Sequence, residues 1–91
     1  MADFCTWYRR ADYDRIREVM NDGDKFPRTF DEWEKRAKSQ KAGAAAGGVI
    51  LKPVIIDPEQ FVAFCQRKNL PRGSAARALF IAEVGDTMDK H

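Results

Sequence analysis

The stretch Val49-Ile50-Leu51-Lys52-Pro53-Val54-Ile55-Ile56-Asp57-Pro58-Glu59-Gln60 decides the fold of this 91-residue chain. Residues 49–56 are mostly apolar and rich in β-branched side chains, which indicates a buried strand. Asp57 is a good N-cap, and Pro58 suits the first helical position because its missing N–H needs no partner there. We therefore predict a strand that leads directly into a helix. One strand alone leaves its backbone groups unpaired, so a second strand must lie beside it.

Two helices are predicted after this strand. The first covers residues 58–69 and carries apolar side chains at helical spacing. After a turn that contains Pro and Gly, Ser74 is the N-cap candidate of a second helix over 75–84. This last helix is apolar nearly all round through residues 78–82, which is typical of a helix that is central or covered by a second subunit.

The N-terminal half shows a similar order. Residues 4–9 are rich in aromatic and β-branched side chains and predict the partner strand. Asp12 is the N-cap candidate of a helix that ends at Asn21-Asp22-Gly23. Thr29 and Glu32 have the spacing of a capping box, so a further helix starts there.

Residues 42–48, Ala-Gly-Ala-Ala-Ala-Gly-Gly, predict a flexible connection because they are small and include three glycines. The chain is then a single domain over 1–91 with an α+β fold of order β-α-α-β-α-α. We expect a two-stranded antiparallel ribbon and four helices. Whether the ribbon forms within one chain or between two chains stays open here, as does a duplication of the half-chain.

The amino-acid composition limits the functional classes that fit this chain. Sixteen basic and fourteen acidic side chains give a net charge of +2, which provides no global field of the kind that dedicated nucleic-acid binders use. No secretory signal and no membrane-spanning run is recognisable, so we expect a cytoplasmic protein. Cys5 and Cys65 form no C-x-x-C pair, and we expect Cys65 to be a buried small hydrophobe.

The residues that enzymes use are sparse. The single histidine is the terminal His91, which supports neither acid–base catalysis nor a histidine-containing metal site. The acidic turn over 21–24 lacks the further ligands of a calcium loop, and no phosphate-binding glycine loop occurs. We therefore expect no catalytic residue, no cofactor and no metal, and a protein that is not an enzyme.

An aromatic group admits two interpretations. It either forms the core itself, which is usual in so small a domain, or lines a small pocket or partner surface. Its members are Trp7, Tyr8, Tyr13, Phe26, Phe30 and Trp33.

Two resemblances can be stated. The blocks Tyr13-Asp14, residues 26–33, residues 56–61 and residues 75–78 resemble those of a set of short bacterial proteins without a known activity. Residues 49–84 are similar in outline to the ribbon-helix-helix class of DNA-binding proteins. That resemblance implies base contacts from the strand and a phosphate held at the helix start, although Pro53 lacks an N–H for the strand ladder.

The leading hypothesis is a non-catalytic protein that acts through protein–protein association as a homodimer, with an association surface at Leu79, Phe80 and Ile81. The alternative is a nucleic-acid-binding regulator, which uses a basic set gathered around the turn between the last two helices. Its contacts to nucleic acid or to an acidic partner would be Lys52, Arg67, Lys68, Arg72, Ser74 and Arg77.

Overall fold

The computed structural model describes residues 3–89, so His91 lies outside the described residues. Within this part of the chain, strands and helices follow one another in the predicted order β-α-α-β-α-α. Short 3₁₀ turns lie at Arg10–Asp12 and Gly23–Lys25. The elements are β1 Asp3–Trp7, α1 Tyr13–Val19, α2 Phe30–Ala46, β2 Leu51–Ile55, α3 Pro58–Lys68 and α4 Ser74–Asp89.

The two strands pair in parallel within one chain, so the predicted antiparallel ribbon is wrong. Asp3 lies beside Leu51 and Trp7 beside Ile55. The direction follows from α2, whose 17 residues span about 25 Å and run back along the sheet. This long helix returns the chain to the N-terminal end of β1, where β2 begins. A crossover of this kind is what parallel strands require.

Pro53 does not interrupt the pairing of the strands. The Ile56 amide donates to the Trp7 carbonyl at 2.9 Å, which fixes the pattern of the parallel ladder. In that pattern Val54 and Ile56 turn their backbone groups toward β1, whereas Pro53 turns its nitrogen toward the open edge of β2. The missing N–H therefore removes no bond between the strands, as is usual for proline in an edge strand.

Helix α2 continues through most of the segment that was predicted as a flexible connection over 42–48. Four of the five residues over 42–46 are alanine, the strongest helix former, and they outweigh the single Gly43. The helix ends at Ala46 with Gly47 as its C-cap, and Gly48 follows with a φ of 89°. Helix α4 likewise runs past its predicted end at Val84 through Gly85 to Asp89.

The sheet lies between α2 and α4. Side chains alternate between the two faces of a strand, so odd-numbered and even-numbered residues of β1 show which helix covers each face. The Trp7 ring lies 5.0 Å from the Trp33 ring of α2. Phe4, on the opposite face, lies against Gly85 of α4.

The core fills the space between the sheet and helices α1, α3 and α4. The ring of Phe80 meets the rings of Phe61 and Phe64 edge to face, at 5.6 and 5.3 Å. The buried hydrophobic residues are Tyr8, Tyr13, Ile16, Val19, Met20, Val54, Ile56, Phe61, Phe64, Cys65, Ala76 and Phe80. Cys65 is thus buried, as predicted, and it is a free thiol.

Three helix ends follow the local signals in the sequence. The Asp57 carboxylate accepts hydrogen bonds from the next amides of α3 at 3.0 Å, and the Thr29 hydroxyl accepts one from the Glu32 amide at 3.2 Å. Asn69 ends α3 in the left-handed region with a φ of 55°. Asp12 occupies the N-cap position of α1, as predicted, but its carboxylate makes no capping hydrogen bond and instead accepts from Arg9 Nε at 2.8 Å.

Candidate functional site

The three residues of the predicted association surface on α4 differ in their exposure to solvent. The Leu79 side chain is 53% exposed, whereas Phe80 is only 5% exposed and belongs to the core. Ile81 is partly buried and packs against the core. Phe80 therefore faces the core while Leu79 faces the solvent, because successive helical residues point about 100° apart and cannot share one face.

The solvent side of α4 is apolar over its first half. Exposed residues recur there at i, i+3, i+4 and i+7, which places them on one stripe of the helix. We call this stripe the α4 outer face, and it consists of Ala75, Ala78, Leu79 and Ala82. The three alanines were missed as site residues; their helical spacing about Leu79 is the signal that identifies them.

The basic set does not form one surface. Arg67 and Lys68 are exposed on the last turn of α3, and Lys68 Nζ lies 5.9 Å from the Phe64 ring. Arg72 instead turns toward α1, where its Nε donates to the Val19 carbonyl at 2.5 Å. Two further predicted contacts lie outside the basic set: Lys52 is exposed on β2, and Ser74 is the exposed first residue of α4.

Arg77 is bound to an acidic partner. Its two terminal nitrogens donate to the two carboxylate oxygens of Asp22 at 2.8 and 2.9 Å, and the guanidinium lies 5.1 Å from the Phe26 ring. The hydrogen bond from Arg77 holds the pKa of the Asp22 carboxyl below its usual range. Arg72 and Arg77 both bind groups within the chain, so the basic residues do not form one contiguous surface. Recognition of nucleic acid stays a prediction.

The aromatic group assembles as one cluster at the end of β1. Tyr8 is at its centre, with ring centroids 4.9 Å from Trp33, 5.9 Å from Phe26 and 6.3 Å from Tyr13. Tyr8 and Tyr13 are buried, and the other members are half-buried. Tyr8 and Tyr13 therefore belong to the core, which was the first interpretation of the sequence. The half-buried members also contribute to the surface, as the second interpretation requires.

A groove of about 400 Å³ lies on the surface between α3 and α4. Phe64, Phe80 and Val84 supply its apolar walls, and Arg67 and Glu83 lie at its rim. It is separate from the α4 outer face, because none of the four residues of that face lines it.

Searches for two further kinds of site gave negative results for residues 3–89. In this part of the chain no helix combines the length and apolarity needed to cross a bilayer. Nor do three or more His, Cys, Asp or Glu side chains gather in an arrangement that could hold a metal ion.

Comparison of the chain with models of protein families, with curated proteins and with solved structures gives no significant match. The geometry of the chain itself is thus the basis for a functional proposal.

Proposed function

We propose that the protein acts by associating with a second copy of itself, without catalysis, and that the α4 outer face forms the contact. The observation that carries this proposal is the exposed apolar stripe of α4 with Leu79 in its middle. Water contact with such a stripe is unfavourable, and burial against another apolar surface removes it.

The shape of the α4 outer face suits a second copy. A two-fold interface must be self-complementary, so one patch has to supply both the projection and the recess. Leu79 projects from this face, while Ala75, Ala78 and Ala82 leave shallow recesses around it. In an antiparallel pair, each Leu79 packs among the partner's alanines, and the small side chains let the helix axes approach to about 8 Å.

Charge also favours the antiparallel arrangement. Glu83 and Asp86 are exposed near the C-terminal half of α4, and the helix N-terminus at Ser74 carries the positive end of the helix dipole. An antiparallel pair brings the acidic half of one α4 close to the positive end of the other. Parallel pairing instead places like charges together, which is unfavourable.

Sedimentation velocity over about 1 to 500 μM protein tests the proposal, because this range brackets weak specific complexes. We expect a reversible monomer–dimer equilibrium for the wild type. The association constant of the Leu79→Glu variant should be at least about tenfold lower than that of the wild type. The matched control is Ile50→Glu, which places the same charge at an aliphatic side chain that is 70% exposed outside α4. This control should associate like the wild type.

Two results would overturn the proposal. A wild-type protein that sediments as a monomer over the whole range rules out self-association. If Ile50→Glu abolished the dimer while Leu79→Glu left it unchanged, the interface would lie elsewhere than on the α4 outer face.

A further inference from the structure

A second concave region, which we call the β1-edge pocket, lies at the open edge of β1. It has a volume of about 380 Å³, within the size range of small-molecule sites. Cys5 and Thr6 contribute from β1, Arg36 from α2 and Arg77 from α4. Because α2 and α4 cover opposite faces of the sheet, the pocket bridges both helices across the strand edge.

The inner wall of the pocket is aromatic. Tyr8, Phe26 and Trp33 all line it, and the rings of Phe26 and Trp33 lie 5.9 and 4.9 Å from that of Tyr8. Such a wall offers ring faces and edges for contact with a flat molecule.

Tyr8 brings a polar group to this wall. Its side chain is only 3% exposed, and its hydroxyl has no hydrogen-bond partner among residues 3–89. By contrast, the Tyr13 hydroxyl donates to the Pro27 carbonyl at 2.6 Å. Burial raises the pKa of the Tyr8 phenol, so at neutral pH it remains a hydrogen-bond donor. A hydroxyl that lines a pocket and has no partner within the described part of the chain is placed to donate to a molecule bound there.

The backbone of β1 adds further polar groups. Trp7 turns its carbonyl toward β2, so the alternate residue Thr6 turns its N–H and C=O toward the open edge. Thr6 lines the pocket, as does the amide side chain of Gln40. These groups can fix the orientation of a bound molecule.

The charges around the pocket have one sign. Lys25, Arg36 and Arg77 line it, and no carboxylate is among its lining residues. Asp22 partly neutralises Arg77 and holds its guanidinium in place. Lys25 and Arg36 make no ion pair with any residue of the described part of the chain, although the charge of Lys25 also acts on the Asp22 carboxylate.

We propose that the β1-edge pocket binds a small organic anion that carries a flat aromatic ring. The ring lies against Phe26 and Trp33, and the negative group lies between Arg36 and Lys25 with the Tyr8 hydroxyl as a donor. This proposal is independent of self-association, because the α4 outer face contributes no residue to the pocket.

The test is an NMR titration of the full chain with 2-naphthoate, with observation of backbone amides and of the Trp33 indole N–H. We expect saturable shifts centred on Thr6, Tyr8 and Trp33. The uncharged analogue 2-naphthamide and the ring-free anion phosphate should each bind at least about tenfold more weakly, because each lacks one of the two recognised features.

Two variants separate binding from folding. Arg36→Gln removes an exposed charge of the pocket and should weaken 2-naphthoate binding about tenfold. The matched control Lys35→Gln removes one charge from the same helix outside the pocket lining, and its affinity should stay within about twofold of the wild type. Equal binding of 2-naphthoate and 2-naphthamide, shifts centred on the α3–α4 groove, or no saturation by about 10 mM would each overturn the proposal.

Discussion

The Arg77 guanidinium binds both carboxylate oxygens of Asp22, at 2.8 and 2.9 Å, across 55 residues of sequence. The bond joins the first turns of α4 to the segment after α1. The two side chains are only 14% and 28% exposed, so water weakens the pair less than it weakens a surface ion pair. Arg77 thus connects the two β-α-α halves of the chain.

Replacement of Asp22 by Asn should lower the free energy of unfolding by about 1 to 2 kcal/mol, because a bidentate charge-assisted contact is lost. Urea denaturation followed by circular dichroism measures this change. Asp24→Asn is the matched control, since Asp24 is exposed and forms no ion pair within residues 3–89. It should change stability by less than about 0.5 kcal/mol. Equal effects of the two variants would contradict a stabilising role for the pair.

The contribution of Asp22 should depend on pH in the acidic range. Its pKa is lower in the folded chain than in the unfolded chain, chiefly because Arg77 donates hydrogen bonds to the carboxylate. The stabilisation is therefore complete above the unfolded pKa of about 4 and is lost as the pH falls through the folded pKa. The stability difference between wild type and Asp22→Asn should be constant from pH 7 to about 5 and shrink below about 4. A difference that persists unchanged at about pH 2 would exclude this linkage.

Gly85 is required by its contact with Phe4. A Cβ atom at position 85 would lie 2.7 to 2.8 Å from three atoms of the Phe4 ring, closer than carbon atoms pack. Gly85→Ala should therefore destabilise the protein by about 1 to 3 kcal/mol in urea denaturation. Gly43→Ala is the control, because a Cβ there meets nothing within 4 Å. This change should raise the free energy of unfolding by up to about 1 kcal/mol.

A double-mutant cycle identifies the cause of this loss. If the Phe4 ring is the obstacle, Phe4→Leu should recover part of the stability in the Gly85→Ala background. Strict additivity of the two changes would show that the methyl group is accommodated elsewhere.

The sequence predicts the order of the elements because their ends carry local signals. Asp57, Thr29 and Asn69 act through their immediate neighbours, so their roles depend little on the rest of the fold. The direction of β2 has no such signal. Alternation of side chains is the same for parallel and antiparallel pairs, and the course of α2 between the strands decides between them.

Glycines account for the two misplaced helix ends. A glycine stops a helix when it adopts a left-handed conformation, but Gly43 and Gly85 both lie inside helices. Gly85 is there because of Phe4, a residue from the other end of the chain. A contact between such distant positions cannot be read from local sequence.

The candidate sites were only partly predictable for a related reason. An all-round apolar helix has no polar side to mark its exterior, so Leu79 and Phe80 look equivalent until the core is known. Likewise, the basic residues near Arg72 look like one patch until Val19 and Asp22 are found to bind two of them. Lys25 and Arg36 join one pocket only because α2 folds back along β1.

Tyr13 and Tyr8 should differ in what their hydroxyl groups contribute to stability. The buried Tyr13 hydroxyl donates to the Pro27 carbonyl at 2.6 Å, so Tyr13→Phe should lower the free energy of unfolding by about 1 kcal/mol. Tyr8→Phe is the matched control, because that hydroxyl has no partner within residues 3–89 and its loss should leave stability unchanged or raised. Thermal and urea denaturation of both variants at pH 7 measures the difference. If Tyr8→Phe proved the more destabilising of the two, the Tyr8 hydroxyl would have a partner within the folded chain, and it would not be available to a ligand in the β1-edge pocket.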